Sequence, residues 1–203
     1  MNDSKSIDKF VTWAKESIGK LDVLINNPGF GYLRQTPEEG VEALNTNFFA
    51  VVELTEKALS ILAMMERLSM CQVYSVVWVT KEIRLESNPS LTRNQLMTLA
   101  KELLERTKQM KHVELGWSTQ HYNNSKCILN AYTRFALPRL LKQGEQCYSC
   151  TPGYCRTNMT NLNVTRTAKQ GAETMIFITN LPFVKDEKYH TWFLEDKVCT
   201  SNE

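Results

Sequence analysis

The sequence predicts an α/β domain built on a parallel β-sheet. Three observations carry this expectation. Short apolar runs rich in β-branched residues alternate with longer stretches of helical period. Turn-forming clusters, Asn26-Asn27-Pro28-Gly29 and Pro152-Gly153, close two of the runs. Polar residues gather at the carboxyl ends of the runs, which is where open α/β sheets place their ligands.

Each element follows from its pattern. Ile7, Phe10, Val11, Ala14 and Ile18 recur at helical spacing, and Gly19 closes that helix. Leu21 to Ile25 form the first strand. Residues 38–66 carry Val41, Leu44, Phe48, Val51, Val52, Leu59, Leu62 and Met65, and the spacing predicts one long amphipathic helix. The run Val73 to Thr80 reads as a buried parallel strand. Residues 83–118 read as a helical insertion, in which Thr92-x-x-Gln95 is a capping box. A further long helix is expected over about 119–142, kinked or ended by Pro138. Gln146 to Thr151 read as a strand, Thr167-x-x-Gln170 caps a last helix, and Thr191 to Leu194 suggest a short final strand.

Composition is that of one globular domain. The chain has 203 residues, 42% of them hydrophobic and 23% charged, so one core is affordable and no second domain is required. A net charge of +2 implies no strong field for nucleic acid or membrane. No apolar run reaches the length of a bilayer span. The start, Met1-Asn2-Asp3-Ser4-Lys5, lacks the apolar core of a signal peptide, so a cytoplasmic location is expected. The six cysteines then read as free thiols. Cys147 and Cys150 fall on a strand at an odd spacing, facing opposite ways, and no second Cys/His pair follows. They read as small buried hydrophobes rather than zinc ligands.

The chemistry rests on Tyr122-Asn123-Asn124-Ser125-Lys126. A Tyr and a Lys four apart share one face of a helix. The ammonium favours the charged form of a neighbouring phenol, which makes the pair a plausible acid–base device at neutral pH. The plain alternative is an exposed Tyr beside a solvated Lys.

The company this motif keeps decides between them. Leu21 to Gly29 with its Asn-Asn-Pro-Gly end, Thr46-Asn47-Phe48-Phe49, Val76 to Thr80, Tyr122-x-x-x-Lys126, Cys150 to Met159, and Gly171-Ala172-Glu173-Thr174 occur in one order. Together they resemble the short-chain dehydrogenase/reductase family, in its monomeric carbonyl reductase branch, over nearly the whole chain. The insertion before Tyr122 is the mark of that branch.

The resemblance implies a Rossmann-like doubly wound parallel sheet and NADP(H)-dependent reduction of small carbonyl compounds. Tyr122 would give a proton to the carbonyl oxygen, Lys126 would assist it and bind the nicotinamide ribose, and Asn47 would hold a water in a proton relay. Asn27 would lie along the cofactor, and Cys155, Arg156 and Thr157 would contact its nicotinamide end.

Three departures qualify the expectation. The family's glycine-rich opening turn, whose amides hold a diphosphate, has no counterpart in the sequence. Residues 1–203 would then form a partial, N-terminally truncated domain without the first three strands. Its Leu21–Ile25 strand would be an apolar edge open to a protein partner. The family's catalytic Ser falls on Lys81, after Thr80, and losing one such donor typically costs about 10²–10³ in rate. Pro28 stands where the family has Ala, which removes an amide and constrains Asn27. Reduced activity is therefore expected, the alternative being a non-catalytic relative.

Overall fold

A computed structural model of the chain describes residues 3–27, 29–31, 34–71, 85, 88–160, 164–180, 189–193 and 199–200. Five strands form one sheet in the order β1 (Leu21–Asn26), β2 (Leu62–Cys71), β3 (Gln146–Thr151), β4 (Tyr189–Phe193) and β5 (Cys199–Thr200). β1 to β4 run parallel, and β5 returns antiparallel to β4.

Helices cover both faces. On one face lie α1 (Ser4–Ser17), α2 (Pro37–Leu44), α3 (Ala50–Ala58), α4 (Arg93–Lys108) and α5 (His121–Ala131). They enclose the main core with Leu24, Leu62 and Cys147 from the sheet. On the other face α6 (Ala168–Thr179) packs Ile178 onto Tyr148 and Cys150. Cys147 and Cys150 thus serve opposite cores, as their odd spacing in a strand requires.

Capping boxes start three helices where the sequence allows. Thr36, Thr92 and Thr167 each form a capping box with the residue three further on, Glu39, Gln95 and Gln170. Gly40 lets α2 approach α5: a Cβ there would lie 2.4 Å from Thr107 Cγ2 and 2.7 Å from His121 Nδ1.

Two expectations are corrected. The single helix over 38–66 is α2, a π-helical turn over Asn45–Phe49, and α3, which ends at Ala58. From Leu62 the chain is already in β2. A short apolar stretch such as Leu59 to Met65 suits a helix or a buried strand equally, and here sheet pairing wins. The helix over 119–142 breaks up earlier, into a π turn at Tyr132–Ala136 and a 3₁₀ turn at Leu137–Arg139 that holds Pro138. The run Val73 to Thr80 lies outside the described residues, as do Lys81 and Pro28.

Candidate active site

The site assembles where β1 and β3 end. Asn47 is buried inside the π turn between α2 and α3. Such turns insert one residue into a helix and often mark functional positions. Both of its amide protons are committed. Phe30 N–H donates to Asn47 Oδ1 at 2.8 Å, while Asn47 Nδ2 donates to the Phe30 carbonyl at 2.8 Å and to Ser125 Oγ at 2.9 Å. Ser125 in turn donates to the Tyr122 carbonyl at 2.7 Å. Asn47 therefore clamps the loop after β1 to the helix that carries Tyr122. With both amide protons engaged, its side chain has no proton left for a relay water.

Tyr122 and Lys126 share one face of α5. Lys126 Nζ stands 5.7 Å from the centroid of the Tyr122 ring, inside the range of cation–π attraction. The Lys126 side chain is buried and the phenol is half-buried, so the cation sits behind the phenol rather than in solvent. Gly31 lies against the ring: a Cβ there would be 3.1 Å from Tyr122 Cδ2 and 3.3 Å from Met159 Cε. The loops after β1 and β3 thus meet beside the phenol, joined through Met159.

The remaining expected residues divide. Asn27 is exposed at the end of β1. Its neighbour Asn26 is buried and donates to Thr55 Oγ1 at 2.9 Å, which leaves Asn26 Oδ1 without a hydrogen bond. Arg156 and Thr157 are exposed in the loop after β3. That loop is held by Arg156 N–H donating to the Arg166 carbonyl at 2.8 Å, Thr157 N–H to Thr160 Oγ1 at 2.9 Å, and Thr160 Oγ1 to the Cys155 carbonyl. The Cys155 thiol points into the fold: it donates to the Pro152 carbonyl at 3.1 Å and packs on Gly171. Trp117 is buried in the main core. Among the described residues no cluster of three or more His, Cys, Asp or Glu could hold a metal, and no helix is long and apolar enough to cross a membrane.

Two further residues frame the site. Gln35 has φ 58°, a left-handed conformation that costs a non-glycine residue about 1–2 kcal/mol. It accepts from the His121 backbone N–H at 2.9 Å through its side chain, and its carbonyl meets His121 Nε2 at 3.2 Å. No sequence signature marks this contact, because its partners are 86 positions apart.

Residues 1–82 match the family described as short chain dehydrogenase. Carbonyl reductase (NADPH) 1 of Mus musculus is 26% identical over 214 residues, spanning 95% of this chain and 77% of that protein. Carbonyl reductase (NADPH) 3 of the same organism is 28% identical over 215 residues, again 95% and 77%. This chain resembles the short-chain dehydrogenase/reductase family. Salutaridine reductase from Papaver somniferum superposes with a TM-score of 0.81 at 22% identity, covering 96% of this chain and 79% of that one. Menthone neomenthol reductase from Mentha piperita gives 0.74 at 21%, with 95% and 76% covered. These two share the Rossmann-like fold of this chain. The Tyr122–Lys126 pair and the Asn47–Ser125 clamp stand at the strand ends of that fold, where its ligands bind.

Proposed function

We propose that this chain reduces small carbonyl compounds with NADPH, and that residues 1–203 alone hold the cofactor weakly. The observation that carries this is the joining of Tyr122, Lys126, Ser125 and Asn47 into one hydrogen-bonded and stacked cluster at the strand ends. When bound, NADPH supplies the hydride. The Tyr122 phenol gives its proton to the carbonyl oxygen. The Lys126 ammonium offsets the negative charge left on the phenol and offers donors to ribose hydroxyls. Asn47, through Ser125, fixes the turn of α5 on which Tyr122 stands.

The residues fit the nicotinamide half of the cofactor. A buried ammonium beside a half-buried phenol suits a ribose, and Asn27, Arg156 and Thr157 are exposed in the segments that follow β1 and β3. The diphosphate half has no glycine-rich turn in the sequence to hold it. That feature supports weakened turnover by residues 1–203 alone.

A second reading is favoured by one observation. β1 pairs with β2 alone among the described residues, and Ile25 on it is 43% exposed. A non-catalytic relative would use that edge to bind another protein.

The test is NADPH binding by calorimetry, followed by carbonyl reduction with Tyr122→Phe as control. Binding in the high micromolar range, with slow turnover that Tyr122→Phe abolishes, is the expected result. Turnover unchanged in Tyr122→Phe rejects the proton donor, and no detectable binding favours the second reading.

A further inference from the structure

We propose that His121 is a positioning residue for Tyr122, acting in its neutral form through Gln35. The inference rests on the reading of Tyr122 as the proton donor.

Helix α5 begins at His121, one residue before the phenol, yet its N-cap residue Gln120 makes no side-chain capping bond. A helix start leaves its first backbone N–H groups without internal acceptors. Here the acceptor comes from outside: Gln35 Oε1 takes the His121 N–H at 2.9 Å. The same two residues are joined again by the ring, His121 Nε2 to the Gln35 carbonyl at 3.2 Å. A carbonyl only accepts, so Nε2 carries the proton and Nδ1 is bare.

The loop after β1 is therefore pinned at both ends. Asn47 grips Phe30, His121 grips Gln35, and Gly31 within that loop lies against the Tyr122 ring. The left-handed backbone of Gln35 is the cost of presenting both of its oxygens to one residue.

The surroundings of the ring demand neutrality. Nδ1 of His121 is buried without a hydrogen-bond partner. α2 presents Gly40 to it, α4 presents the Thr107 methyl, and the 3₁₀ turn His112–Leu115 presents the His112 ring at 4.8 Å between centroids. Of the titratable groups facing it, Glu39 on α2 favours the cation and His112 on the 3₁₀ turn opposes it. Burial, the largest influence, favours the neutral ring over the pull of the Gln35 carbonyl, Glu39 and the Thr36 backbone, so a proton on the buried, unpaired Nδ1 is expected to push the ring out and release Gln35.

The test uses the full chain with His121→Ala, His121→Gln and Gln35→Gly. Glutamine keeps a donor near the place of Nε2 and cannot titrate. We expect His121→Ala to lower kcat about tenfold at pH 7.5 with KM within about twofold, since small misplacements of a reacting group act on the chemical step. His121→Gln should restore kcat and remove the acid-side fall of activity. Amide hydrogen exchange at His121 and Tyr122 should accelerate in His121→Ala and Gln35→Gly at pH 7.5, and in the wild type in acid. Unchanged exchange and kcat in His121→Ala, or an acid limb of His121→Gln matching the wild type, overturns the proposal. If the wild type turns over nothing, the proposed function fails while the exchange results still decide the role of His121. If His121→Ala does not fold, His121→Gln and Gln35→Gly decide it.

Discussion

Asn47 and Phe30 exchange two hydrogen bonds, Phe30 N–H to Asn47 Oδ1 and Asn47 Nδ2 to the Phe30 carbonyl, both at 2.8 Å. One amide side chain thus replaces a strand partner for a backbone unit in the loop after β1. Its second amide proton reaches Ser125. Removing the side chain takes these bonds from the Phe30 N–H and carbonyl and a donor from Ser125 Oγ, which keeps its bond to the Tyr122 carbonyl; a buried group left unsatisfied costs about 1–3 kcal/mol, with water recovering part. Asn47→Ala should lower unfolding free energy by about 2–4 kcal/mol in urea denaturation. Asn47→Asp should recover little, because a carboxylate accepts from the Phe30 N–H but cannot donate to the Phe30 carbonyl.

Gly40 gives a prediction of opposite intuition. Alanine is the better helix former by about 1 kcal/mol, so Gly40→Ala in α2 should help on propensity alone. Its Cβ would lie 2.4 Å from Thr107 Cγ2, a contact that cannot persist. Overpacking of this kind costs about 1–3 kcal/mol. The variant should melt lower than the wild type in calorimetry, and adding Thr107→Ser, which deletes that methyl, should recover part of the loss.

The sequence made the larger elements legible and left the joints obscure. β3 is observed over the residues its pattern predicts, and both foreseen capping boxes, at Thr92 and Thr167, are formed. These signals are local, so spacing and residue type suffice. The π turn at Asn45–Phe49 was hidden because its cause is tertiary: Asn47 turns inward to meet Phe30 and Ser125. β2, Leu62–Cys71, has no clean alternation and holds Glu66 and Arg67 among its apolar residues, so its strand character shows only in its two parallel partners. In the site, the Tyr122–Lys126 pair follows from a four-residue step. The partners that hold it, Gln35 and Asn47, come from two other segments, and no periodicity joins them.

The tilted ring pair His112 and His121 makes stability acid-sensitive. Burial holds both imidazoles below the usual histidine range, and each lacks a partner for at least one ring nitrogen. The unfolded chain protonates both near pH 6.5, before the folded state does, so it binds more protons as pH falls. The stabilisation is whole above about pH 6.5 and declines below it until the folded-state values are passed. Two such groups give a slope of at most about 2.7 kcal/mol per pH unit, from about 1.36 for each proton. Urea denaturation between pH 7.5 and 5 should show this decline, and His112→Phe should reduce its slope. An equal slope in that variant would remove His112 from the account.

Tyr132 carries the last prediction. Its ring is fully buried, and its hydroxyl donates to Glu56 Oε1 at 3.2 Å. Arg93 holds the same carboxylate with two bonds, Nε to Oε1 at 2.5 Å and Nη2 to Oε2 at 2.7 Å, which ties α4 to α3 and to the π turn after α5. Burial raises the phenol well above the usual tyrosine range, and the Glu56 charge adds to it, with Arg93 opposing weakly. The unfolded chain therefore gives up this proton first, near pH 10, and the stabilisation is present below that pH and lost above it. Absorbance titration at alkaline pH should give the folded wild type and Tyr132→Phe equal amplitudes, whereas in denaturant the wild type should show one phenol more. Arg93→Met should cost only about 1 kcal/mol, because the Arg93 side chain is 38% exposed and solvent screens the pair. A folded wild type that titrates one phenol more than Tyr132→Phe below pH 11 would place Tyr132 in contact with water and break this account of the α3–α4 junction.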